Sequence, residues 1–406
     1  MAPHAPSMFL SRRTPPHIVT LMCMAGLSAL AMNVFLPSLP GMTAWFDSSA
    51  AVMGLSVGVY LFVNGVIQLI IGPVSDKYGR RPVVLWGIGF YLLATLGCIF
   101  SPTAAIFLSF RMLQATVATA MVLSRAIVRD TTPAEEAGSR VAYVTMGMAI
   151  VPMIGPAIGG FLEQSFGWHA NFWMLFGAGL AIWVLVWADL GETTTPSGNT
   201  LTQQFREYPE LLTSPRFWGY CLASACASGA FFAFLGGAPF ISAQVFDLSP
   251  HEFGMYFAAP SVGYFVGNFL SGRYSQRIGI NRMVLWGLVI TALAMVVGLG
   301  FSALGLMGAN LFFACMVPLG IGNGMTIPNA TAGMLSVRPH LAGTASGLGG
   351  AIMLGGGAGL SALSGVILPG VGSAAPLLWI MGIVSVLGIV AILIVMRRER
   401  HILPQL

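Results

Sequence analysis

Apolar residues along this chain neither alternate nor recur on a single helical face. They run nearly unbroken for about twenty residues, stop at a short polar stretch, and start again. A bilayer core about 30 Å thick takes roughly 20 residues of helix to cross. The pattern therefore predicts an all-α integral membrane protein with twelve transmembrane helices, at 17–37, 51–72, 82–101, 104–126, 140–162, 170–189, 217–240, 253–273, 283–303, 307–329, 343–367 and 375–396. The first run follows Arg12 and Arg13 like a leader. It is too long for a signal-peptide core, and no small-residue cleavage site precedes a soluble domain, so it is expected to remain as a span.

Composition supplies the exclusions. Hydrophobic residues make up 56% of the chain and charged residues 8%, against about 25% charged in ordinary globular proteins. A cytosolic enzyme lacks this balance, and a disordered chain has the reverse. The 51 glycines suit helices that approach closely in lipid. Cys23, Cys98, Cys221, Cys226 and Cys315 all lie in apolar runs. Their odd number and unpaired spacing point to packing rather than a disulfide framework or zinc site, and no metal or cofactor is expected.

The net charge of +5 raises nucleic acid as a partner until positions are read. Arg12 and Arg13 precede span 1; Lys77, Arg80 and Arg81 follow span 2; Arg125, Arg129 and Arg140 surround the junction of spans 4 and 5; Arg206 and Arg216 precede span 7. Arg273, Arg277 and Arg282 follow span 8, Arg338 follows span 10, and Arg397, Arg398 and Arg400 follow span 12. These are seventeen of the eighteen Lys and Arg residues, and the intervening loops contain none. The positive-inside rule puts both termini in the cytoplasm. The partner is the bilayer, not nucleic acid.

The chain repeats at an offset of 200. Between 72–87 and 272–287, seven of sixteen positions match, including Gly72, Ser75, Gly79 and the run Val84-Leu85-Trp86-Gly87. Two six-helix halves are expected, 1–190 and 217–406, joined by a cytoplasmic linker at 191–216. Parallel repeats of this kind are the architecture of the major facilitator superfamily, whose substrates bind near the midplane between the halves. The cytoplasmic loop expected from Gly72 to Arg81 resembles that superfamily's signature between spans 2 and 3. It implies a cytoplasmic gate made of Gly72, Asp76, Gly79, Arg80 and Arg81 with Arg125, Arg129 and Asp130 at the end of span 4. Asp76 offers the carboxylate, and its counterpart in the second copy is Gln276.

Span 5 contains Pro152, Gly155, Pro156, Gly159 and Gly160, similar to the motif of drug-exporting antiporters. Proline bends the span, and glycine lets a neighbour approach. With Arg111-Met112-Leu113-Gln114, Asn33-Val34-Phe35-Leu36-Pro37 and Gly237-Ala238-Pro239-Phe240, the chain resembles the Bcr/CflA group of multidrug efflux transporters. The resemblance implies a monomer in a bacterial inner membrane that carries small amphipathic compounds, with protons as the coupling ion.

The candidate chemistry is sparse. Arg111, about nine residues into span 4, lies on the order of 13 Å below the surface at 1.5 Å per residue. A charge there is costly, so it is expected to face a cavity, with Gln114 one turn away. Tyr60, Asn64 and Gln68 form a polar stripe on span 2, and Tyr264 and Asn268 stand at the repeat-equivalent positions of Asn64 and Gln68; both faces should turn inward. Relatives in this group usually carry an acid on span 1 where this chain has Asn33. All thirteen acids fall in loops or at span ends, and an amide does not exchange protons at cellular pH. Coupling through a peripheral acid such as Glu163 or Asp130, or uncoupled transport of a neutral or anionic metabolite, are the two alternatives. No nucleophile, base and acid stand at useful spacing for an enzyme, and the loops are too short for a sensor's signalling domain.

Overall fold

The computed structural model describes residues 9–132, 134–193, 209–338, 341–368 and 371–402. In the first half the helices are α1 (Ile18–Asn33), α2 (Leu39–Trp45), α3 (Ala50–Tyr78), α4 (Arg80–Ile99), α5 (Ala104–Gln114), α6 (Ala118–Thr131), α7 (Ala134–Phe166) and α8 (Trp168–Asp189). In the second they are α9 (Pro215–Gln244), α10 (Pro250–Tyr256), α11 (Ala258–Ile278), α12 (Ile280–Ala303), α13 (Ala309–Ser336), α14 (Ala342–Ile367) and α15 (Ala375–Ile402). Ten helical stretches among the described residues are long and apolar enough to cross a membrane. The other two of the twelve expected spans correspond to α7 and to α11, which carries Ser261, Tyr264, Asn268, Ser271 and Arg273 along its length.

Three boundaries differ from expectation, each for a local reason. Span 1 is not one helix to residue 37: α1 ends at Asn33 and a 3-10 turn at Leu36–Ser38 leads into α2, because Pro37 and Pro40 lack the N–H groups that would continue the ladder. Span 4 is likewise split by a 3-10 turn at Ala115–Val117 between α5 and α6. The signature after span 2 is helical rather than a loop. α3 runs to Tyr78, α4 begins at Arg80, and only Gly79 stands between them, at φ +93°. Gly279 repeats the device between α11 and α12 at φ +89°, a conformation that a side chain disfavours.

The halves meet along two seams of small residues. Gly54, Gly58 and Gly65 on α3 face Gly365, Ala362, Ala358, Leu354 and Ala351 on α14; a Cβ at Gly65 would sit 3.3 Å from Leu354 Cβ. At the end opposite the arginines, Gly160 of α7 meets the Pro250 carbonyl, and Gly254 of α10 meets the Pro156 carbonyl, so that added methyls would overlap backbone. Close approach of this kind drives association in lipid, where apolar burial alone gives no advantage. Beside this seam, Ser249 starts α10 with a capping box: its Oγ accepts from Glu252 N, and the Glu252 carboxylate accepts from Ser249 N at 2.8 Å. Those bonds from the Ser249 backbone and hydroxyl hold the Glu252 carboxyl below its ordinary range.

Candidate translocation site

Arg111 is 1% exposed, so it does not point into an open chamber, which corrects the sequence expectation. Its Nη2 donates to the Ala31 carbonyl at 2.8 Å, its Nε to the Ser56 carbonyl at 3.3 Å, and its Nη1 to Gln114 Oε1. The guanidinium carbon lies 4.0 Å from the centre of the Tyr60 ring and 4.2 Å from that of Phe35. Gln114 passes the link on, donating to Thr95 Oγ1 at 2.8 Å. The arrangement is explained by acceptors: Ala31 belongs to the last turn of α1, where carbonyls lack intrahelical partners. A buried guanidinium with five donors seeks such groups. It thereby ties α1, α3, α4 and α5 together around two aromatic faces.

Next to this brace lies a set of uncharged polar atoms without hydrogen-bond partners. Asn33 is fully buried; its Nδ2 donates back to the Ala29 carbonyl at 2.7 Å, and its Oδ1 has none. The buried Tyr60 hydroxyl has the side chains of Ser28 and Asn64 within reach, while Ser56 Oγ is, like Asn33 Oδ1, buried and unpartnered. In the second half the same holds for Ser228 Oγ, Asn323 Oδ1 and Ser361 Oγ. The sequence stripes had missed these three. A polar residue inside an apolar run is the available signal, as at Asn323 within Leu319–Met325.

The remaining stripe residues divide. Gln68 donates to Asn64 Oδ1 at 2.9 Å and its Oε1 faces Gly350 across the α3–α14 seam. Tyr264 and Asn268 are half-buried, bonded to each other by Asn268 Nδ2 and the Tyr264 carbonyl at 2.8 Å, and packed on Gly320 and Gly324 of α13. Arg125 is accessible to water yet enclosed by protein, with the Tyr264 phenol of the other half in electrostatic reach.

At that end, Arg80 bonds Asp76 at 2.7 Å and Asp130 at 2.9 Å, and also donates to Ser75 Oγ. Arg81 donates to the carbonyls of Leu190 at 2.8 Å and Trp187 at 3.3 Å. Gly72 has open space beside it, and Arg129 is exposed. Three acids that sequence reading left unassigned complete the face. Glu192 accepts from the backbone N–H groups of Arg80 at 2.8 Å and Arg81 at 3.3 Å, capping α4. Asp189, fully buried, accepts from Leu10 N at 2.6 Å, His17 N at 2.9 Å and Thr20 Oγ1 at 2.7 Å. Glu399 accepts from Arg216 at 2.6 Å, Tyr220 at 3.1 Å and Asn281 at 2.6 Å. Thr20 and Tyr220 stand 200 residues apart, so each half ties its first span to its last by an acid. The span 5 motif serves the opposite end: Gly155 packs near Leu30, Gly159 lies against the Val34 carbonyl and Gly160 against Pro250, while Pro152 and Pro156 lie inside α7.

Two pseudo-repeated helical halves, joined by glycine seams and holding unpartnered polar atoms in their interior, define a membrane transporter. Comparison with known proteins gives the family. The model described as Major Facilitator Superfamily matches residues 21–250 and 238–405, and the chain belongs to that superfamily. It is 31% identical over 328 residues to a chloramphenicol resistance protein of Pseudomonas aeruginosa, covering 78% of this chain and 76% of that one. It is 27% identical over 378 residues to multidrug resistance protein D of Escherichia coli strain K12, covering 91% and 94%. Among solved structures it is similar to a bacterial homologue of the human lysosomal transporter Spinster in an inward-facing, occupied conformation. That match has a TM-score of 0.70 at 16% identity, over 94% of this chain and 96% of the other, and is a likeness of fold.

Proposed function

We propose that this chain exports small neutral or anionic amphipathic compounds across a bacterial inner membrane, with both termini cytoplasmic and the two halves rocking about a central site. The observation that carries the reading is the set of buried, uncharged and unpartnered polar atoms at Asn33, Ser56, Ser228, Asn323 and Ser361. In hydrocarbon such atoms cost free energy unless something pairs with them, and a hydrogen-bonding cargo does so without needing a charge of its own. Arg111 supports the reading, since a fixed positive centre disfavours lipophilic cations in a low-dielectric interior. Relatives described as chloramphenicol and multidrug resistance proteins support export of drug-like compounds.

For coupling, Asp130 is committed to Arg80, whereas Glu163 lies beside Gly41 with Oε2 unpartnered. Glu163 is therefore the proposed proton carrier, able to change charge without breaking an ion pair. The absence of an acid at Asn33 favours a second reading, downhill movement of a neutral metabolite. The test is growth of an efflux-deficient bacterium expressing the chain, challenged with chloramphenicol as the neutral probe and ethidium as the cationic one, followed by vesicle transport across imposed pH gradients. Protection against chloramphenicol but not ethidium is expected. Preferential protection against ethidium, or strict proton dependence abolished by Asn33→Ala, would overturn it.

A further inference from the structure

Three spans of the second half end together at the arginine-rich face: α9 starts there, and α13 and α15 finish there. Between them lies a cavity of about 320 Å3 walled by Ser214, Arg216, Val337, Arg338 and Arg398 among others, with no carboxylate among the described residues of the wall. Two of its three guanidiniums have acids behind them: Arg216 bonds Glu399 at 2.6 Å and Arg338 bonds Glu210 at 3.0 Å. Glu399 faces a neighbouring cavity instead. Arg398 forms no ion pair with a described residue. Among the described residues, three positive charges less two acids leave one uncompensated charge, which matches a single anion rather than a dianion.

The shape of the site narrows that anion further. α9 is a 30-residue helix whose N-cap Ser214 and first residue Pro215 edge the cavity, so the positive end of its dipole points there. Planar guanidiniums grip phosphate oxygens in pairs. One turn on, Trp218 is half-buried and donates its indole N–H to the Leu212 carbonyl at 2.7 Å. Tryptophan at a span end marks the level of the lipid headgroups. From these observations we infer that the cavity binds the phosphodiester headgroup of an anionic phospholipid in the leaflet at the arginine-rich face, clamping α9, α13 and α15 to one another. Soluble phosphate esters share the chemistry but lack the acyl chains that would hold them at that depth.

The experiment is native mass spectrometry of the full-length protein, delipidated in detergent and titrated with phosphatidylglycerol, phosphatidylcholine or glycerol 3-phosphate. Phosphatidylglycerol is expected to bind most tightly, and the R338Q/R398Q double variant to bind it roughly thirtyfold more weakly, the factor for two arginines lost from a headgroup site. R338K/R398K, which keeps the charge but not the planar fork, should recover part of the loss. R277Q/R282Q, which removes the same charge from the same face outside the wall, should bind as the unmodified chain does. Where the double variant fails to elute as a folded species, R398Q alone carries the test with about a fivefold loss, since its guanidinium breaks no ion pair. Equal binding of the two lipids, equal weakening by R277Q/R282Q, or glycerol 3-phosphate binding as tightly as phosphatidylglycerol would each overturn the assignment.

Discussion

The two ends of this molecule are held by different physics. At the end opposite the arginines, the halves touch each other through backbone: Gly160 on Pro250, Gly254 on Pro156. At the arginine-rich end, directed bonds work inside each half, with Arg80, Asp76, Asp130 and Glu192 in one and Arg216, Tyr220, Asn281 and Glu399 in the other. A contact of shape between flat surfaces can part without leaving a charge unsatisfied. Directed charge pairs hold the spans of each half to one another. The contrast suits the rocking of the two halves proposed above.

Arg111 lies between the ends and braces the first half. Arg111→Ala should cost about 3–5 kcal/mol, the range for removing one member of a buried charged network, read as the fall in thermal unfolding midpoint in detergent without any cargo. A variant as stable as the unmodified chain would show that the guanidinium does not brace the bundle. Asp189→Ala comes next: it strands two backbone N–H groups and a hydroxyl, and about 2–4 kcal/mol is expected from the cost of unpaired buried donors, measured the same way. Gly160→Leu probes the opposite end. Overpacking of about 1–3 kcal/mol should depopulate the closed contact, seen as faster labelling of a His251→Cys reporter by an impermeant maleimide; unchanged labelling would mean that the seam does not close by shape. Glu399→Gln is the mildest, about 1 kcal/mol because its partner Arg216 remains hydrated. A fall as deep as that of Asp189→Ala would erase the distinction between the two clasps.

Much of this was legible in the sequence, and what was not has physical causes. Length of apolar run located the membrane helices, and the Trp86 and Trp286 repeat gave away the duplication. The break of span 1 at Pro37 was missed because hydropathy continues through the 3-10 turn even though the hydrogen-bond ladder does not. The signature after span 2 was read as a loop because its polar residues suit one, yet polar residues outside the hydrocarbon form helix equally well. Arg111 was expected in a chamber on grounds of cost. Backbone carbonyls, one at the end of α1 and one within α3, answer that cost as well as water does, and hydropathy does not report them. Asp189, Glu192 and Glu399 were counted as span-end acids, since their partners lie far away in the chain.

The reach of those clasps bears on synthesis. Leu10, His17 and Thr20 wait for an acceptor that leaves the ribosome about 170 residues later, and Tyr220 waits as long for Glu399. The clasp of each bundle therefore closes only with its final helix, so a chain interrupted before residue 189 inserts with the start of its first helix unlatched, a target that a quality-control protease can recognise.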